Sequence, residues 1–175
     1  MLRRLIYLLP LLLLAACIKP PVFPNEPVIT YEGISKTMID AAPPNGNLDS
    51  LLIQLSFTDG DGDLTFSSND SIDVFFFDSR LQFAEAPFIL PLSLPSIPGE
   101  GTSNGISGDI FITMENEAQA ICCISNGTYC PDLRIDPNIP ETDTFSYAIQ
   151  IRDRAGNVSN KVRTDLITIN SCRGQ

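Results

Sequence analysis

Two stretches restrict this chain to a β fold. Leu51-Leu52-Ile53-Gln54-Leu55-Ser56-Phe57-Thr58 and Phe145-Ser146-Tyr147-Ala148-Ile149-Gln150-Ile151-Arg152 both carry large apolar residues on every second position. A period of two sets Leu51, Ile53, Leu55 and Phe57 on one face of a strand. Phe145, Tyr147, Ile149 and Ile151 take one face of another. Each stretch runs directly into an acidic turn that contains glycine. Asp59-Gly60-Asp61-Gly62-Asp63 follows the first, and Asp153-Arg154-Ala155-Gly156-Asn157 follows the second, about ninety residues later.

Shorter strand signals fill the rest. Val28 to Tyr31, a short piece around Ile34 to Ile39, Ile72 to Phe77, Ile110 to Met114 and Val162 to Ile169 are rich in β-branched and aromatic residues. Pro43-Pro44-Asn45-Gly46-Asn47 is turn material. Pro87, Pro91, Pro95 and Pro98 exclude both helix and central strand across 84–108, leaving an edge strand or a crossing loop. Glu115 to Ala120 has room for one helical turn. The sum is about seven short strands with no long helical period, which predicts an all-β antiparallel β-sandwich over residues 28–175.

The last third, Asp143 to Ile169, is similar to the closing hairpin of bacterial immunoglobulin-like and cadherin-like repeats. The Asp59–Asp63 loop resembles the Asp-x-Asp turn of the same families. The resemblance implies an immunoglobulin-like sandwich in which the loop after the second strand and the loop of the final hairpin share one end. With Leu51–Thr58 as that second strand, Asp59, Asp61 and Asp63 would stand beside Asp153 and Asn157.

The N-terminus reads as an address. Arg3 and Arg4 precede an apolar run, Leu5 to Leu14, that is too short for a permanent membrane span. Leu14-Ala15-Ala16-Cys17 resembles the lipobox of bacterial lipoproteins, which implies a signal peptide over 1–16 and lipid attachment at Cys17. Several acyl chains would make a stable membrane anchor. Residues 17–27 then form a lipidated cysteine and a proline-rich tether. Ile18 stands where an inner-membrane retention signal would place aspartate, so the expected address is the outer membrane, with the leaflet open. The whole resembles small outer-membrane lipoproteins of Bacteroidota-type bacteria.

Composition narrows the function. Net charge is −10, and −12 once Arg3 and Arg4 are removed with the signal, which repels nucleic acid. The chain has no histidine and no tryptophan. Histidine-based triads and nearly all catalytic zinc sites are therefore excluded. A non-enzymatic binding or structural accessory role is the first expectation, with an envelope protein or a glycan as partner. The alternative is a carboxylate-based envelope hydrolase directed at glycans.

Carboxylates on alternate residues of a tight turn converge on a hard cation, and calcium seeks six to eight oxygens. The loop starts like an EF-hand, but Leu64 replaces the turn glycine that an EF-hand needs and strands flank it. Two solvated Asp-Gly turns are the plain alternative. Mutual repulsion among Asp59, Asp61 and Asp63 favours a bound ion, expected to be structural calcium completed by Asp153 and Asn157. Beyond Cys17, the cysteines are Cys122, Cys123, Cys130 and Cys172, an even set with three pairings. Neighbours pair poorly, so the expectation is Cys123–Cys130 with Cys122–Cys172, the swapped pairing being nearly as good. The spacing lacks the Cys-x-x-Cys knuckles of a zinc site.

Overall fold

The computed structural model describes residues 22–41, 48–64, 72–81, 88–92, 105–116, 121–125, 128–129 and 140–173. Residues 1–16, expected to be a signal peptide, Cys17, residues 18–21 of the expected tether and Cys130 lie outside the described residues. Twelve strands run through the described chain. In order they are β1 (Val28–Ile34), β2 (Met38–Asp40), β3 (Ser50–Asp59), β4 (Ile72–Asp78), β5 (Phe88–Leu92) and β6 (Ile106–Glu115). There follow β7 (Ile124–Ser125), β8 (Thr128–Tyr129), β9 (Asp143–Phe145), β10 (Tyr147–Arg152), β11 (Val162–Arg163) and β12 (Ile167–Asn170). No helix occurs among the described residues.

β3 is the centre of one sheet, ordered β1-β3-β6, and pairs with β6 without interruption from Ser50↔Glu115 to Asp59↔Ile106. The opposing sheet is ordered β11-β10-β4-β5, with β10 and β4 paired from Tyr147↔Asp78 to Arg152↔Asp73. β5 contains Pro91 and sits at the sheet edge, where a missing N–H forfeits no ladder bond on the open side. A third sheet, β2-β12-β9, closes one side.

The period-two residues build the core. Leu51, Ile53, Leu55 and Phe57 of β3, and Ile110, Ile112 and Met114 of β6, are buried on one side. Val74 and Phe76 of β4 with Tyr147, Ile149 and Ile151 of β10 are buried on the other. All belong to one cluster. Each such side chain contributes on the order of 1.5–3 kcal/mol by leaving water. Tyr147 packs edge-on against Phe76 and Phe145, with ring centroids 5.3 and 4.9 Å away. The fold is an all-β sandwich.

Local details differ from the sequence expectation. The sandwich is not antiparallel throughout, because β2 lies parallel to β12. The chain leaves β3 at Ser35, whose N–H donates to Leu52 O, and joins the last strand at Thr37, which accepts from Thr168 N–H. It crosses between sheets without reversing. The final strand is split into β11 and β12 at Thr164. There the Thr164 hydroxyl takes the Tyr147 N–H (3.0 Å) and donates to Asp165 O (2.9 Å). A side chain thereby replaces a ladder partner. Within the cysteine-bearing segment, β7 and β8 pair antiparallel, Ile124 with Tyr129 and Ser125 with Thr128.

The disulfide expectation is corrected. Cys123 bonds to Cys172, with 5.8 Å between their Cα atoms, so the assignment of Cys122 to Cys172 and Cys123 to Cys130 fails. The reason is direction. Cys123 and Cys172 both point into the core, whereas Cys122 is only half-buried. Cys122 is itself disulfide-bonded. Arg80 locks the same end. It donates to Asp78 through Nε (3.0 Å) and Nη2 (2.5 Å), and through Nη1 to Asp143 (2.5 Å) and Cys122 O (2.9 Å). Its guanidinium lies 4.0 Å from the centre of the Phe145 ring.

Replacing Cys172 with alanine should release the Cys123 thiol. Alkylation of the unreduced, denatured Cys172→Ala protein followed by peptide mapping is expected to label Cys123 and not Cys122. Urea unfolding should show a loss of about 2–5 kcal/mol.

Candidate metal centre

The alternation that makes β3 a core strand continues one step further than its apolar residues. Positions 51, 53, 55 and 57 point inward, and the next inward position is Asp59, which is 0% exposed. β10 behaves identically. Tyr147, Ile149 and Ile151 point inward, and Asp153 follows at 5% exposed. Each sheet thus delivers one buried carboxylate to the same end of the core. Gly62, with φ of 72°, turns the β3 loop back on itself. That turn lets Asp61 and Asp63 join Asp59.

One carboxylate oxygen from each of Asp59, Asp61, Asp63 and Asp153 lies within 4.8 Å of the others. The two turns touch directly, because Ala155 donates its N–H to Asp63 Oδ2 at 2.8 Å. Leu64 is fully buried and donates its N–H to Asp59 Oδ2 at 3.1 Å, which pins the loop's exit to the core. Asn157 supports the cluster through Asp153. Its N–H donates to Asp153 Oδ1 (2.7 Å) and its Nδ2 to Asp153 Oδ2 (2.8 Å), so it holds one of the clustered carboxylates. The sequence reading missed Leu64 and the Ala155 N–H as supports. The apolar residue directly after the acidic run was a usable signal for Leu64.

The electrostatics are unfavourable for the protein alone. Asp59 Oδ1, Asp61 Oδ1 and Asp63 Oδ1 are buried and accept no hydrogen bond. Native structures satisfy nearly all such atoms. Two ionised carboxylates at this spacing repel by roughly 3–4 kcal/mol at an effective dielectric constant of 20. The Asp59 carboxyl is pushed up to about 6, first by burial and then by the Asp61 and Asp63 charges, with the Leu64 N–H opposing. Asp63 is raised by burial and by Asp153 and Asp61, against the pull of the Ala155 N–H and of Arg154.

These residues fit a hard metal ion. The donors are all carboxylate oxygens, two loops preorganise them, and the three unpartnered oxygens belong to the same cluster. No protein-family model matches the chain, nor does any curated protein or solved structure.

The raised carboxyls fix the sign of a pH effect. Asp59 holds its proton more tightly folded than unfolded. In chelator, its contribution to stability is therefore full below 3.8 and is lost as pH rises through about 6. Asp63 acts in the same direction. Asp49 is lowered by the Lys36 ammonium and by the Asp40 and Ser50 N–H groups, so its loss falls at more acidic pH. Thermal unfolding in chelator should show a higher midpoint at pH 5 than at pH 7. A saturating cation should reverse that order, because protons then compete with the ion.

Proposed function

We propose that this protein is a lipid-anchored envelope module of the bacterial outer membrane whose sandwich is locked at its acidic end by calcium. It works as a non-enzymatic binding or structural accessory that presents a rigid surface to an envelope protein or a glycan. The observation that carries the reading is the set of four carboxylate oxygens gathered within 4.8 Å, three of whose aspartates keep a buried oxygen without a partner. Oxygens on opposite sides of a calcium ion stand about 4.6–5.2 Å apart, and of a magnesium ion about 4.0–4.2 Å. The spread of this cluster accommodates the larger ion. Carboxylates alone also suit calcium better than zinc or copper.

A structural ion explains why the carboxylates face one another. Asp59 is fully buried and the oxygens crowd together, which leaves no room for a scissile bond between them. That arrangement weighs against the glycan-hydrolase alternative. The anchor rests on the lipobox-like Leu14-Ala15-Ala16-Cys17, and the immunoglobulin-like family on the two turns and the sheet order.

Thermal unfolding of the purified protein, with calcium and with chelator at matched ionic strength, tests the ion. Calcium at about 100 times its dissociation constant should add about 2.7 kcal/mol and raise the midpoint by about 5–10 °C. Asp61→Asn combined with Asp153→Asn should remove the shift. An unchanged midpoint in the parent protein would reduce the cluster to two solvated turns.

The anchor has its own test. Metabolic labelling with an alkyne palmitate should mark the protein and place it in the membrane fraction. Cys17→Ser should abolish both outcomes.

A further inference from the structure

The segment that links the domain to its N-terminus does not leave the acidic end freely. Residues 23–29 cross it as a strap. Gly60, between Asp59 and Asp61, donates its N–H to Pro24 O at 2.7 Å. The contact is close enough that a Cβ at Gly60 would lie 2.4 Å from Phe23 O and 2.5 Å from Pro24 O. The Phe23 side chain lies over Gly105, where a Cβ would meet its ring at 2.7 Å. Phe23 is half-buried and Pro27 buried. On the other side, Asn160 follows the Asp153 turn and grips the start of β1. It accepts the Ile29 N–H (2.8 Å) and donates to Ile29 O (2.9 Å). The strap therefore touches the loop that carries Asp59, Asp61 and Asp63 and the chain that leaves Asp153.

We propose that the cation works this strap: with the ion bound, the Asp59–Asp63 loop is held in the shape that receives residues 23–27, and without it the strap comes away from the domain. The inference rests on the calcium reading and adds regulation to the same site. The physical link is Gly60. Its neighbours on both sides are carboxylates of the cluster, so repulsion that splays Asp59 from Asp61 must move the N–H that holds Pro24. The fully buried, unpartnered Asp59 oxygen is what ties the loop's shape to an ion and not to hydrogen bonds alone.

The consequence is reach. Five residue-to-residue steps lead from Cys17 to Val22, and eleven lead to Val28. A fully extended chain spans about 3.5 Å per residue. With the strap docked, an anchor at Cys17 keeps the acidic end within about 18 Å of the lipid surface; with it released, the limit is about 38 Å. Calcium would then set how far the sandwich stands from the membrane.

Hydrogen–deuterium exchange of the purified protein, read at the Gly60 amide that donates to Pro24 O, tests this alongside the unfolding midpoint. Calcium is expected to slow exchange there about tenfold relative to chelator. Phe23→Ala and Gly60→Ala should each abolish the slowing, while the Phe23→Ala protein keeps the calcium-induced rise in midpoint. A midpoint that rises with calcium while exchange at Gly60 stays unchanged, or a slowing at Gly60 that survives Phe23→Ala, overturns the strap and leaves the metal site standing. Neither quantity responding to calcium overturns both.

Discussion

Because β3 and β10 bury alternate residues in one core from opposite sheets, and both reach the acidic end as their last turn, the position of each inward residue is set by parity. That parity does not stop where the apolar residues stop. It carries Asp59 and Asp153 inward on the same register as Leu55, Phe57, Ile149 and Ile151. The strand geometry that stabilises the middle of the sandwich thus places two carboxylates at its end, where burial raises the cost of their charge. Everything distinctive about this end follows: the back-turned loop, the N–H groups of Leu64 and Ala155 that share the load, and the oxygens left over.

The sandwich faces the same physical problem twice and meets it by different means. At the disulfide end, Asp78 and Asp143 are neutralised by Arg80, which is 9% exposed in its side chain and takes both carboxylates while stacking on Phe145. That solution is permanent, since a guanidinium does not titrate in the accessible range. Beside it, the Cys123–Cys172 bond ties the last strand to the core. At the acidic end, Arg154 eases Asp63, and Asp59 keeps its raised carboxyl. The cation proposed for this end would come from outside the chain and could be withdrawn, which would leave one end of the molecule constant and make the other responsive.

How much of this was legible depends on the range of the interaction. Period two in Leu51–Thr58 and Phe145–Arg152 gave both core strands and their inward faces, because strand alternation is a local rule, whereas the meeting of their turns was expected only from the resemblance to immunoglobulin-like repeats. The acidic loop was legible because three aspartates in five residues have no comparable role in a turn. The inward parity of Asp59 and Asp153 was also present in the sequence and went unread, although it marks them as the buried members of the cluster. What was not legible depended on partners far along the chain. The choice of Cys123 over Cys122 for Cys172 turns on which of two adjacent residues faces the core. The split at Thr164 turns on a hydroxyl meeting the Tyr147 N–H seventeen residues earlier.

The strap shows how a sequence feature that reads as a spacer acquires a second meaning from its surroundings. Proline-rich residues ahead of β1 favour an extended chain, and an extended chain lies flat on whatever is beside it. Since Val28 pairs with Thr58, the residues before Val28 must pass the loop after Thr58, and that loop is the acidic one. Glycine at position 60 then decides the matter, for any larger residue would push Phe23 and Pro24 away. The contact therefore arises from strand register and a missing side chain, and it couples the segment ahead of β1 to a loop whose buried carboxylate oxygens lack partners.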